Sequence, residues 1–140
     1  MSILVTGAAG FIGSNFVRYW AEHHPGDPIV ALDALTYAGV RENVDGIEGV
    51  TFPHTDIGDT DAVAGLLETH AVDRIVNFAA ESHNSLAVVD PARFFRTNVL
   101  GTQGLCEAAK RVGVTRFHHV STCEVYGDLD LETDEMFTEE

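Results

Sequence analysis

Basic side chains are scarce in this sequence: 8 Lys and Arg stand against 22 Asp and Glu, for a formal net charge of −14. A surface of that sign argues against nucleic acid binding through a basic face. Cysteine is almost absent as well. Cys106 and Cys123 lie far apart, in no metal-ligating or redox spacing, which suits a reducing, cytoplasmic setting. No apolar run approaches the length of a membrane span, and the chain enters its first strand with no basic leader. Neither nucleic acid nor membrane is therefore expected as a partner. Metal is not expected either. His23-His24 and His118-His119 are adjacent pairs, and neighbours in a strand face opposite sides. With only four prolines and 45% hydrophobic residues, the 140 residues fit one globular domain with a real core.

What the sequence does contain is concentrated in Val5-Thr6-Gly7-Ala8-Ala9-Gly10-Phe11-Ile12-Gly13. The apolar run Ile3-Leu4-Val5 before it reads as a buried strand. Ser14 to His24 after it reads as a helix, with Phe16, Val17, Trp20 and Ala21 at helical spacing. In a strand–turn–helix, Gly7 permits the tight turn, Gly10 lets a diphosphate approach the backbone, and Gly13 lets the helix pack closely on the strand. The helix N-terminus offers the phosphates unpaired N–H groups and the positive end of its dipole.

The alternation continues along the chain. Pro25-Gly26-Asp27-Pro28 is a break, and Ile29–Leu32 reads as a second strand ending in Asp33. That acid lies 20 residues past Gly13, where a carboxylate accepts hydrogen bonds from an adenosine ribose and repels a 2′-phosphate. NAD is thus expected over NADP, tempered by the nearby Arg41. Residues 34–46 read as loop and 50–54 as a weaker third strand, followed by Asp56-Ile57. Residues 59–69 read as a helix with Ala62, Val63, Leu66 and Leu67 on one face, and 73–80 as a fourth strand. Pro91 opens the longest helix, which reaches Arg111 and is ended by Gly113; residues 115–121 form a fifth strand. This order predicts an α/β fold with a doubly wound parallel sheet, its ligand beyond the C-terminal strand ends.

Four stretches together resemble one family. The Gly-x-x-Gly-x-x-Gly spacing is similar to the extended, sugar-nucleotide-modifying branch of the short-chain dehydrogenase/reductase superfamily. Asp33-Ala34-Leu35-Thr36-Tyr37-Ala38-Gly39, Phe78-Ala79-Ala80-Glu81-Ser82-His83 and Ser121-Thr122-Cys123-Glu124-Val125-Tyr126-Gly127 resemble segments of dTDP-glucose 4,6-dehydratases. The resemblance implies a Rossmann-type NAD-binding domain over residues 1–140, the N-terminal part of a longer enzyme whose substrate domain lies elsewhere. It implies cofactor contacts from Gly7, Gly10, Phe11, Ile12 and Gly13, and from Asp33, Ala34, Leu35 and Thr36. Asp56, Ile57, Phe78, Ala79, Ala80, Ser82 and Thr97 complete that set. It also implies a nucleotide-sugar substrate touched by Ser82 and Thr122, and a homodimer paired through helices in the region of Phe94, Phe95 and Leu105, which read as core or subunit interface.

The implied reaction is dehydration of dTDP-glucose to its 4-keto-6-deoxy product. NAD takes hydride from C4, Glu124 removes the C5 proton, the C6 hydroxyl leaves as water, and the hydride returns to C6. Thr122 would hydrogen-bond the C4 oxygen. Cys123 stands where the family has Asp. An unperturbed thiol is protonated at neutral pH, whereas a carboxyl must be shifted upward to be so. Two readings stay open: Cys123 is the acid for the leaving hydroxyl, or it is filler and a bound water carries the proton. Asn84-Ser85-Leu86-Ala87 also departs from the family's Val-Asp-Arg-Ser, which leaves the nucleotide sugar open. The superfamily's Tyr-x-x-x-Lys is expected after a segment like Phe137-Thr138-Glu139-Glu140. Tyr126 is followed four residues on by Asp130, not Lys. The sequence is then a fragment or is completed by a second polypeptide, and the 140 residues alone are not expected to turn over. Remaining alternatives are 4,6- or 5,6-dehydration of a UDP-sugar, an epimerase or decarboxylase, and a non-catalytic NAD-binding module.

Overall fold

The computed structural model describes residues 1–129 and 136–138; Asp130, Glu139 and Glu140, used in the sequence argument, lie outside the described residues. Strand β1 (Ile3–Thr6) is central, flanked by β2 (Ile29–Leu32) and β4 (Arg74–Asn77), with β3 (Val50–Thr51) and β5 (Arg116–His119) at the edges. All pairings are parallel. Thr6 stands level with Leu32 on one side and Asn77 on the other, so the C-terminal ends of the three inner strands are in line. The order β3-β2-β1-β4-β5 reverses direction between β1 and β4, and a crevice opens at such a point.

Period-two alternation sends the apolar residues of β1 and β2 to two separate cores. Ile3, Val5, Ile29 and Ala31 pack with Val17 of α1 (Phe11–His23), and Phe16, Trp20 and Ala21 lie around them. Leu4, Val30, Leu32 and Ile75 pack on the other face. Their partners there are Val63 and Leu67 of α2 (Thr60–Thr69) and Leu105 and Ala108 of α5 (Thr102–Val112). Burial on both faces is why these strands read as continuous apolar runs.

Several element boundaries differ from the sequence reading. Helix α1 begins at Phe11 rather than Ser14, because the chain turns helical directly after Gly10. The third strand stops at Thr51. Pro53, which lacks an N–H, interrupts the ladder, and His54 keeps only an isolated bridge to Asp33. The fourth strand stops at Asn77 and the fifth at His119. A short helix α3 (Asn84–Val89) fills a stretch to which no element was assigned. The long helix does run from Pro91, capped by Asp90, to Gly113. It is built as α4 (Pro91–Phe94), a π-helical segment (Phe95–Gly101) and α5. Gly113 closes it in the left-handed region with φ +84°, donating its N–H to Ala109 O at 3.0 Å.

Helices α2 and α5 meet through small residues. A Cβ at Gly104 would lie 2.6 Å from Thr60 Oγ1, whereas one on Gly65, exposed on α2, would meet nothing within 4 Å. Gly65→Ala is therefore expected to raise stability by about 1 kcal/mol through helix propensity. Gly104→Ala is expected to lower it by about 1–3 kcal/mol through overpacking. Urea unfolding of the two variants checks both signs.

Candidate functional site

The glycine turn is shaped by close approach. Gly7 adopts φ +62°, and a Cβ there would lie 2.7 Å from Ala79 N. A Cβ on Gly13 would lie 2.1 Å from Gly7 O, so this glycine lets the helix close on the turn itself rather than on the strand. Gly10 is the N-cap of α1, which has no side-chain cap and no acid in its first turn. Its first N–H groups are thus left for a ligand.

Opposite this turn, Asp33 continues from β2. Its carboxylate is nearly buried, with Oδ2 accepting the Ala9 N–H at 2.9 Å and Oδ1 accepting the Leu35 N–H at 2.7 Å. Each oxygen keeps a second lone pair. The second bond holds Leu35 at φ +49°, an uncommon conformation for a non-glycine residue. Gly39 packs so closely that its Cβ would lie 2.7 Å from Asp33 Oδ1. The loop then returns to the turn, with the Val40 N–H and Asn43 Nδ2 donating to Ala9 O at 3.1 and 3.0 Å. Arg41 is committed elsewhere: it pairs with Asp45 at 2.9 Å and covers the Phe52 ring at 4.2 Å.

Turn and loop together border a cleft that is open to solvent. Of the residues expected at a cofactor, Gly7, Gly10, Asp33, Ala34 and Thr36 line it, as do Asp56, Ile57, Phe78, Ala79, Ala80 and Thr97. Asp56 Oδ1 also accepts the Gly58 N–H at 2.8 Å. Phe11 and Ile12 do not line the cleft; they are exposed at the start of α1. Gly13 is buried behind the turn, Leu35 points its N–H at Asp33, and Ser82 is exposed just beyond the lining.

Thr122 caps a 3₁₀ turn, Cys123–Tyr126, that follows β5 and opens on Cys123 and Glu124. They are exposed and outside the cleft lining. Thr122 Oγ1 accepts the Glu124 N–H at 3.3 Å, which leaves the hydroxyl proton free to donate. Of the helix residues expected at a core or interface, Leu105 is core, Phe94 is half-buried and Phe95 is exposed.

Sequence reasoning missed two polar groupings. Beneath the cleft, the Ala79 N–H donates to Thr6 Oγ1 at 3.3 Å, Thr6 Oγ1 bonds to Asn77 Oδ1, and Asn77 Nδ2 meets His119 Nδ1 at 3.0 Å. This chain ties three strand ends. In the cleft lining itself, Glu81 is buried against Arg93 and Asn98. The signal for Glu81 was a charged residue running directly on from an apolar strand.

A parallel sheet with a glycine turn at its central strand and an acid at the next strand end defines a Rossmann-type, doubly wound nucleotide-binding domain. The family model described as "NAD dependent epimerase/dehydratase family" matches residues 3–140, and the chain belongs to that family. A dTDP-glucose 4,6-dehydratase of Mycobacterium tuberculosis is 49% identical over 140 residues, covering 99% of this chain and 41% of the relative. The "Low-salt glycan biosynthesis protein Agl12" of Haloferax volcanii is 47% identical over 143 residues, covering 100% and 44%. Among solved structures, DesIV, a dTDP-glucose 4,6-dehydratase of Streptomyces venezuelae with NAD bound, superposes with a TM-score of 0.85. It is 47% identical and is matched over 93% of this chain and 42% of its own. A UDP-glucose 4-epimerase of Thermotoga maritima gives a TM-score of 0.84 at 32% identity, over 94% and 41%. The chain thus spans about two-fifths of the length of the curated relatives it matches.

Proposed function

We propose that this chain is the NAD-binding domain of a nucleotide-sugar 4,6-dehydratase acting on dTDP-glucose. The observation that carries the cofactor reading is that Asp33 and the uncapped glycine turn before α1 border one cleft at the C-terminal strand ends. The residues fit the cofactor: Gly7 and Gly10 leave the backbone bare for a diphosphate, and Asp33 keeps lone pairs for ribose hydroxyls. Arg41 is engaged by Asp45 and Phe52 rather than left for a 2′-phosphate, which supports NAD over NADP. When bound, NAD supplies a hydride acceptor and donor.

The chain's own residues then bind, orient and move protons. Ala79, Ala80 and Thr97 wall the cleft towards β5, and Ser82 stands just outside it as a substrate contact. The Thr122 hydroxyl, whose oxygen already accepts the Glu124 N–H, donates to the substrate's C4 oxygen. Glu124 takes the C5 proton as general base. Departure of the C6 hydroxyl as water requires a proton, supplied by the Cys123 thiol or by a water beside it. The 49% identity to a dehydratase at full coverage of this chain supports that reaction. The relatives' greater length supports a longer enzyme, with Tyr-x-x-x-Lys after the segment ending at Glu140 and a separate half for the nucleotide sugar.

The test is to incubate the protein expressed from its complete coding sequence with dTDP-glucose and NAD. A 6-deoxy-4-keto sugar seen by NMR is expected; an unchanged substrate overturns the reading, and an exocyclic alkene would favour 5,6-dehydration.

We also propose a homodimer. Val88, Val89, Phe95, Val99 and Leu100 are exposed apolar side chains within one stretch of α3 and the π segment, a concentration that fits a second copy better than solvent. Phe95→Asp with Leu100→Asp is expected to yield monomers by sedimentation velocity.

A further inference from the structure

We infer that Glu81 and Arg93 are positioning residues that tie the loop at the Asp33 end of the cleft to the segment at its opposite end. The inference rests on the dinucleotide reading above and adds to it a contact chain from the cleft lining at Glu81 to the loop after Asp33.

The chain starts at Glu81, directly after Ala79 and Ala80 of the cleft wall. Its backbone is clamped by one side-chain amide: the Glu81 N–H donates to Asn98 Oδ1 at 2.8 Å, and Asn98 Nδ2 donates to Glu81 O at 2.9 Å. Asn98 lies in the π segment, beside Thr97 of the cleft. The Glu81 side chain is only 3% exposed. Oε1 accepts from Arg93 Nε at 2.7 Å, and Oε2 is buried with no partner. A carboxylate so placed depends on Arg93. Among the described residues that is the one cation paired with it. Arg93 is fixed in turn by its own N–H, which donates to the Asp90 cap at 3.3 Å.

The guanidinium has a second contact. It lies 5.1 Å from the ring centroid of Tyr37, in the loop that follows Asp33. A planar guanidinium donates in its plane while it covers an aromatic ring with its face, which an ammonium cannot do together. Thr36, Tyr37 and Ala38 are otherwise exposed. Arg93 thus holds the outer part of the loop against the wall that Glu81 continues, and the cleft keeps its width between them.

The experiment uses the protein expressed from its complete coding sequence. Amide hydrogen exchange is measured without ligand, and NAD affinity by calorimetry. Arg93→Lys and Tyr37→Leu are each expected to speed exchange at residues 36–39 and to raise the NAD Kd by about tenfold. Acting through one contact, they are expected to be non-additive in the double variant, while Tyr37→Phe keeps the ring and behaves as wild type. Tyr37 is half exposed, so Tyr37→Leu still decides the matter if Arg93→Lys does not fold. Unchanged exchange at 36–39 in Tyr37→Leu, or additive effects, would overturn the inference. A wild-type protein that binds no NAD overturns the dinucleotide reading instead, since the exchange result needs no ligand.

Discussion

Glu124→Gln, made in the protein expressed from its complete coding sequence, is expected to lower dehydration of dTDP-glucose by about 100-fold or more. The amide is nearly the same size, so the fold and NAD affinity should stay as they are. What it loses is the capacity to accept the C5 proton. Exchange of that proton with solvent deuterium is accordingly expected to stop along with product formation. The structure makes the substitution mild in every other respect. Glu124 is exposed in its 3₁₀ turn, and its N–H, not its carboxylate, is what Thr122 Oγ1 accepts. Cys123→Ser separates the neighbouring role. If the thiol protonates the leaving hydroxyl, water loss slows by a comparable factor while C5 exchange continues; full activity would assign the proton to water. Cys123→Asp restores the residue common in the family and is expected to keep activity. Activity lost there would mean that the site needs a neutral donor beside Glu124.

Asp33→Ala is expected to damage the fold as well as the cofactor site. Its carboxylate accepts two backbone N–H groups, from Ala9 and Leu35, and Ala9 is fully buried. Truncation strands both donors, at a cost of about 1–3 kcal/mol each. Against an ordinary stability of about 5–15 kcal/mol, that is a large loss. Leu35 would also lose the bond that holds its positive φ, so the loop to Gly39 should loosen. Asp33→Asn is the gentler probe. It keeps one acceptor oxygen, removes the charge, and should erase most discrimination against NADP while retaining measurable NAD binding through the diphosphate contacts. Urea unfolding and calorimetry on both variants separate the structural role of Asp33 from its role in recognition.

The parts of this site legible in the sequence are those whose cause is local. Gly7 and Gly13 announce a turn because their spacing fixes where the backbone must come close, and the structure fills the missing Cβ positions with Ala79 N and Gly7 O. Asp33 was legible because a strand end at a set distance from a glycine turn has one place to be. The Glu81 cluster was not, since its partners Arg93 and Asn98 come 12 and 17 residues later and meet it only through packing. Nor was the π segment: helical periodicity over residues 91–111 does not register the wider turn on which Thr97 and Asn98 lie. Helix α3 has six residues, too few to show a period, and opens on the polar pair Asn84-Ser85. Phe11 and Ile12, expected at the cofactor from motif position, have side chains outside the cleft lining, and what they offer a ligand is their backbone N–H groups at the start of α1. Such a motif fixes the backbone of the turn, not the direction of every side chain in it.

Calorimetric titration of the protein from its complete coding sequence with NAD and with NADP tests the central claim most directly. One NAD site per chain is expected, with at least about tenfold weaker binding of NADP, a difference of about 1.4 kcal/mol. Equal affinity for the two, or no binding of NAD, would contradict the account.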